Sequence, residues 1–531
     1  MKGLLTGAPP TTEANDLGRA LRDRLHGRRL VVVSNREPYV HHREAGGFVS
    51  RAPAGGLVAA LDPVMRACGG SWIAQAVGDA DREVADASGR VPVPDGEGSY
   101  TLRRLWLEDE EEQRRYYDGF ANGALWPLCH RAFVRPRFDP DDWAAYRAVN
   151  RRFAEVVLDE VEGDDALVFV QDYQLALLPR LLREARPDLT IAQFWHIPWP
   201  SRDVFGVCPW ADEILDGLLA NDLLGFHVEE YRDAFLETVD RCVEAVVDRS
   251  RARVCRGGHT TAVVAAPIGV DPDGIAAEAD APGVTAEVDQ LRASLRLQGQ
   301  LVAVGVDRMD YTKGIPERLR AIDRFLARHA EYRGRFTYLQ LGPLTRTGVP
   351  EYARLYDDVR GLAASVNARH GRGYWEPIRL LVRDHPRRTL LAYYRLADVC
   401  LVSPLHDGMN LVAKEYVAAR GDGGGSLVLS RFAGAAREME GALLVNPFDV
   451  DGFAAAIARA LELPDAEARG RMARMQAAVR RATVYHWAAR LIGLASDAGV
   501  DFTALGLRLL AELSPDGEPG TGLPPRRCRV A

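Results

Sequence analysis

The chain has 531 residues, enough for two or three domains, and its 47% hydrophobic and 27% charged residues fit an ordinary globular protein. A net charge of −7 and a pI near 6.0 give no electrostatic case for nucleic acid or an anionic membrane as partner. No apolar run approaches the roughly 20 residues that span a bilayer, and the N-terminus lacks the apolar core of a signal peptide, so the cytoplasm is the default location.

The seven cysteines, Cys68, Cys129, Cys208, Cys242, Cys255, Cys400 and Cys528, include no Cys-x-x-Cys pair. That argues against zinc and against a disulfide framework, and buried free thiols are expected.

Residues 1–28 are polar and irregular, which predicts a mobile arm with a short helix. Leu30-Val31-Val32-Val33-Ser34-Asn35-Arg36 predicts the first buried strand and the turn after it. Arg36 is placed there to meet a phosphate, although an Arg after a strand is, taken alone, more often a surface residue. Ala54-Gly55-Gly56-Leu57-Val58 opens a helix at a glycine turn, by itself weak evidence for a phosphate cradle. Tyr116 to His130 is dense in aromatics, and its composition suits a core and a sugar pocket equally.

Leu167-Val168-Phe169-Val170 predicts a strand, followed by Gln171-Asp172-Tyr173-Gln174. Asp172 can accept from a hydroxyl or cap the next helix. Ile191 to Phe194 is another strand, leading to His196 in a proline-stiffened loop; a lone His there is usually a satisfied structural residue. From about residue 272 to 300 the pattern loosens before a short helix, which marks a change of domain.

Val302 to Val306 starts a second sheet and leads to Asp307-Arg308-Met309-Asp310-Tyr311-Thr312-Lys313-Gly314. Arg308 and Lys313, five apart around a glycine-bearing turn, suit a diphosphate: a guanidinium forks onto two oxygens and an ammonium acts as a point charge. Thr337 to Leu341 is the next strand, with Arg346 beyond it. Val399 to Leu405 runs into His406-Asp407-Gly408-Met409-Asn410-Leu411, a strand-to-helix turn. Gly408 permits close approach, and the N–H groups of Met409, Asn410 and Leu411 would favour an anion. Asp407 can accept from sugar hydroxyls, and Glu415, two turns on, can hold a ribose diol. Residues 449–478 give two helices, and 485–495 a further apolar face; 513–531 are expected to be disordered.

Strands alternate with helices throughout, so the class is α/β with parallel sheets, and two such domains imply a ligand cleft between them. Several ordered motifs carry a specific resemblance. Asp407-Gly408-Met409-Asn410-Leu411-Val412-Ala413-Lys414-Glu415, Arg308-x-Asp310-Tyr311-x-Lys313-Gly314, Ser34-Asn35-Arg36 and Gly55-Gly56 together resemble the trehalose-6-phosphate synthase family of retaining glucosyltransferases. The resemblance covers about residues 29–500. His406 stands where the family most often has Arg, and Gln171 and Gln174 stand where it usually has His. Arg36-Glu37-Pro38-Tyr39 resembles the glucosylglycerol-phosphate synthase branch.

The resemblance implies a GT-B fold of two Rossmann-like domains. An acceptor domain would span 29–271 and a nucleotide-sugar domain 272–484, with helices over 485–512 crossing back to the first. It implies no cofactor and no metal, with a nucleotide-diphospho-glucose (UDP-, GDP- or ADP-glucose) as donor and a sugar phosphate as acceptor. The expected product is trehalose 6-phosphate. Arg308 and Lys313 would stabilise the leaving diphosphate, with Gly55, Gly56, Gly408, Met409, Asn410 and Leu411 around the donor. Asp407 and His196 would position its glucose, and Glu415 its ribose. Arg36, Tyr117, Trp126, Asp172 and Arg346 would bind the acceptor. Two other readings stay open: the same fold with glycerol 3-phosphate or a cyclitol phosphate as acceptor, and a catalytically silent sugar-nucleotide-binding regulator. A homo-oligomer is left open.

Overall fold

A computed structural model describes residues 21–497 apart from 45, 53–55, 95, 97 and 347. Two sheets organise it. The first has ten strands in the order Val246–Asp248, Arg253–Arg256, His259–Ala265, Leu223–Phe226, Thr190–Phe194, Ala166–Gln171, Arg29–Arg36, Ser71–Gln75, Tyr100–Leu105, Arg90–Val93. Its central pairs are parallel and both edges end in antiparallel pairs. The second sheet has six parallel strands in the order Ile378–Leu381, Phe336–Leu341, Leu301–Val306, Val399–Val402, Ser426–Ser430, Leu443–Val445.

The near-continuous apolar strands are explained by burial on both faces. Leu30 and Val32 point into one apolar cluster, Val31 and Val33 into another. In the second sheet Val302 and Val304 share the cluster of Leu30, while Ala303 joins a third on the far side. One continuous apolar layer therefore runs between the two halves.

Where a loosened pattern before one short helix was expected, residues 272–294 form two helices, Pro272–Ala279 and Pro282–Ser294. Pro at the first turn of each, and the Asp271 side chain accepting from Gly274 N–H, supply start signals that composition alone obscured. Helix Val484–Ser496 packs against the first sheet, with Trp487 against Phe169 and Phe194. The two chain crossings between the halves touch. Val484 N–H donates to Val270 C=O at 3.1 Å, and a Cβ on Gly269 would lie 2.0 Å from the Ala482 carbonyl oxygen.

The six described cysteines are unpaired; Cys129, Cys208 and Cys400 are buried, but Cys255 is exposed. Among the described residues no helix is long and apolar enough to cross a membrane. Cys528 and the tail over 513–531 lie outside the described residues, as does most of the N-terminal arm.

Candidate active site

The chemistry-bearing residues follow the carboxyl ends of strands from both sheets, the place where α/β sheets bind ligands. After strand Val399–Val402 the chain turns at Asp407–Asn410 into helix Leu411–Ala419. Asn410 takes a left-handed φ of 77° and caps the helix, its side-chain oxygen accepting from Ala413 N–H. The N–H groups of Met409, Asn410, Leu411 and Val412 find no acceptor among the described residues. The Met409 side chain is buried in the core. The neighbouring turn at 432–435 stitches this one in place: Asp407 N–H donates to Phe432 C=O, and Gly434 N–H to Asp407 C=O.

Gly408 is required by close approach. A Cβ there would lie 2.1 Å from the carbonyl oxygen of His196, which belongs to the other half. His406 makes a second link across the cleft. Its Nδ1 accepts from Arg131 N–H at 3.2 Å, and its Nε2 lies 3.4 Å from the Tyr231 hydroxyl, which donates to Asp407 C=O. Lys414 in the signature is buried, donating to Ile268 C=O at 2.7 Å and pairing with Glu438.

Lys313 Nζ lies 2.5 Å from Asp407 Oδ2, which also accepts from Asn410. Burial works against the Asp407 charge, but Lys313, with His130 and Asn410, more than offsets it and holds the carboxyl below its ordinary range. Beneath this turn Arg318, fully buried, pairs with Asp307 at 2.8 Å and donates to Ser403, Tyr338 and Gln340. Glu415 accepts from the Tyr394 hydroxyl at 3.2 Å, and burial raises its pKa.

On the facing half, Arg36 donates to the Tyr117 hydroxyl at 2.8 Å. Tyr117 lies on a wide-turned π-helix, Arg115–Leu125. Arg346 reaches over from the second half: its guanidinium lies 4.1 Å above the Trp126 ring and donates to the Tyr352, Asp310 and Tyr173 side chains. Its Nε stays buried and unpaired. Asp172 has φ 72° and ψ 179°, a backbone region that side chains rarely occupy, and its carboxylate accepts from the N–H groups of Tyr173 and His196.

The field of these arginines shifts the ionisation of their neighbours. Burial opposes ionisation of Tyr117, but Arg346, Arg36 and Arg308 together bring its phenol down to about 8. Asp172 is pushed up to about 7 by burial, against the pull of its two N–H donors and of Arg346 and Arg308. Burial lowers His196 to about 3.

The structure thus brings Arg36, Tyr117, Trp126, Asp172, Arg308 and Arg346 into one neighbourhood, and joins Lys313, Asp407, Gly408 and His196 at its second-sheet side. Glu415 is further along its helix. Gly55 lies outside the described residues, and Gly56 begins helix Gly56–Cys68. Sequence reasoning missed Asp310, Tyr173 and Tyr352, which anchor Arg346; the first two stand inside motifs already singled out, whereas nothing near Tyr352 marks it. It also missed the buried cluster beside Arg36. There Arg104 pairs with Glu37 at 2.8 Å and with Asp81 at 2.7 Å.

The family model of glycosyltransferase family 20 matches residues 28–496. A trehalose-6-phosphate synthase of Mycobacterium marinum is 39% identical over 478 residues, 88% of this chain and 94% of the relative. A UDP-forming trehalose-phosphate synthase of Burkholderia xenovorans, solved in complex with glucose-6-phosphate, is 35% identical with a TM-score of 0.77, covering 87% of this chain and 98% of that one. The E. coli trehalose-6-phosphate protein bound with UDP-2-fluoro glucose has a TM-score of 0.79 at 34% identity, covering 88% and 99%. Matched along most of its length by that model and by these relatives, the chain belongs to glycosyltransferase family 20.

Proposed function

We propose that this glycosyltransferase moves glucose from a nucleotide-diphospho-glucose to glucose 6-phosphate, with retention, forming trehalose 6-phosphate. One observation carries the reading in the geometry: Arg36 with Tyr117 from one half, and Arg346 over Trp126 from the other, frame a single cationic, aromatic neighbourhood. A sugar phosphate supplies both complements, a ring for the aromatics and an anion for the guanidiniums. Relatives named trehalose-6-phosphate synthase, one complexed with glucose-6-phosphate and one with a UDP-glucose analogue, support the main reading over another acceptor or a silent regulator. They also favour uridine as the base.

In this mechanism the acceptor hydroxyl attacks the glucose C1 on the face the diphosphate leaves. The C1–O bond to phosphate breaks as the new C1–O bond forms, and the hydroxyl proton passes to the leaving phosphate oxygen. No protein nucleophile is needed. Arg308, Lys313 and the N–H groups at 409–412 meet the charge gathering on the diphosphate. Asp407 and His196 orient the glucose, and Glu415 takes the ribose. Arg36, Tyr117, Trp126, Asp172 and Arg346 position the acceptor, so that catalysis rests on alignment and charge.

Competition binding of glucose 6-phosphate, glucose, glycerol 3-phosphate and a cyclitol phosphate, with nucleoside diphosphate present, tests the reading. Glucose 6-phosphate is expected to bind best and to be the acceptor that releases UDP from UDP-glucose. Equal affinity for glucose would remove the phosphate clamp; preference for another phosphate would replace the substrate.

A further inference from the structure

Gln171 ends strand Ala166–Gln171 and is fully buried. Its surroundings orient the amide. Nε2 donates to the Phe169 carbonyl at 3.4 Å, so Oε1 is the atom that faces His196 Nε2 at 3.0 Å. A carbonyl oxygen only accepts, so the proton in that contact belongs to His196 Nε2. Burial keeps the imidazole neutral at physiological pH, so this is its one ring proton.

Nδ1 is then left with a lone pair. It has no hydrogen bond among the described residues, and it is not one of their closed-off unpaired atoms. The ring is walled by Phe194, His227 and Trp487, at centroid distances of 4.7, 5.4 and 6.1 Å. Of the titratable neighbours, His227 is itself kept neutral by burial, and Asp172 is engaged by the His196 backbone N–H rather than its ring. Gln171 is therefore the described group that decides which nitrogen carries the proton.

We propose that Gln171 is a positioning residue that fixes His196 as the Nε2–H tautomer and so makes Nδ1 an obligatory acceptor for a hydroxyl of the donor sugar. This rests on the reading above that the donor glucose lies against His196. It gives a chemical role to a Gln that stands where the family usually has His. An amide cannot exchange its proton with the ring, whereas two imidazoles side by side can each be donor or acceptor. With Gln at 171 the hydrogen-bond direction is set before substrate arrives.

The test uses the full chain labelled with 15N-histidine, read by long-range proton–nitrogen correlation. The His196 signals are assigned by their loss in His196→Gln. Wild type is expected to show a protonated Nε2 and a bare Nδ1 from pH 6 to 9. Gln171→Met should mix the tautomers and lower donor kcat/KM roughly two- to tenfold, with acceptor KM unchanged. Gln171→Glu should retain the Nε2–H tautomer but raise the imidazole pKa, adding an acid limb to the donor kcat/KM profile. An Nδ1–H tautomer in wild type would overturn the proposal, as would a fully active Gln171→Met that keeps Nε2–H. The tautomer is read without turnover, so failure to form trehalose 6-phosphate would count against the reaction instead.

Discussion

Lys313 Nζ lies 2.5 Å from Asp407 Oδ2, and the two side chains are only 14% and 15% exposed. The pair ties the turn after strand Leu301–Val306 to the turn after Val399–Val402. Arg308, on the same turn as Lys313, has no hydrogen bond or ion pair for its guanidinium among the described residues. The two cations therefore differ in what their removal breaks.

Arg308→Ala is expected to lower turnover by at least about tenfold, since a charged hydrogen bond is worth about 1.5–3 kcal/mol, and to leave the melting temperature unchanged. Lys313→Ala should lose turnover and stability together, because Asp407 is left shielded without its cation. Initial rates and calorimetry on both variants check this. Added chelator should change neither rate, and strict dependence on magnesium would contradict a charge-neutralising role for these side chains.

Asp407→Asn should abolish most transfer while the protein still binds free nucleoside diphosphate. The Asn retains an acceptor oxygen, and Lys313 becomes free to meet phosphate. Titration calorimetry with UDP decides it: loss of nucleotide affinity would make Asp407 a nucleotide contact rather than a sugar contact.

The Tyr117 phenol gives a pH dependence with a defined sign. Its pKa falls from the ordinary 10.0 to about 8 in the folded chain. The depressed pKa contributes stability that is full above the unfolded value and is lost as pH falls through about 8. Above about 8 the phenolate competes with the acceptor phosphate for the same guanidiniums. The acceptor KM is expected to rise from there upward while the donor KM stays level, and Tyr117→Phe should flatten the rise. Steady-state rates from pH 6.5 to 9.5 would show it; an unchanged acceptor KM across that range would remove Tyr117 from the acceptor site.

Gly408→Ala should be costly out of proportion to one methyl group. The new Cβ meets backbone, the His196 carbonyl, rather than a side chain that can swing away. Overpacking of this kind costs about 1–3 kcal/mol, and here it also pushes the two halves apart. A lower melting temperature with a larger loss in kcat is expected; a variant with wild-type kcat would show that the approach at 408 is not needed for catalysis.

Much of the architecture was legible because buried parallel strands announce themselves. Val399 to Val402 and Val302 to Val306 are apolar on both faces, and each is followed by glycine-bearing polar turns where ligands gather. The Asp407–Leu411 turn was readable for the same reason, down to the close approach at Gly408; that Asn410 rather than a glycine takes the left-handed φ was not. What sequence hid is what depends on distant partners. The anchoring of Arg346 by Tyr352 and Asp310, the pairing of Glu37 with Arg104, and the carbonyl of His196 over Gly408 each join segments with no local mark of the other. The helix Pro272–Ala279 was hidden differently, since the Asp and Pro that start it look like loop residues when counted rather than placed.

The contact of Gly269 with Ala482–Val484 has a mechanical consequence. The polypeptide passes between the halves twice, and the two passages touch backbone to backbone at one spot. With the two passages pinned together, neither can shift without carrying the other. A bulkier residue at 269 would force these two passages apart, one residue from the Ile268 carbonyl that holds Lys414.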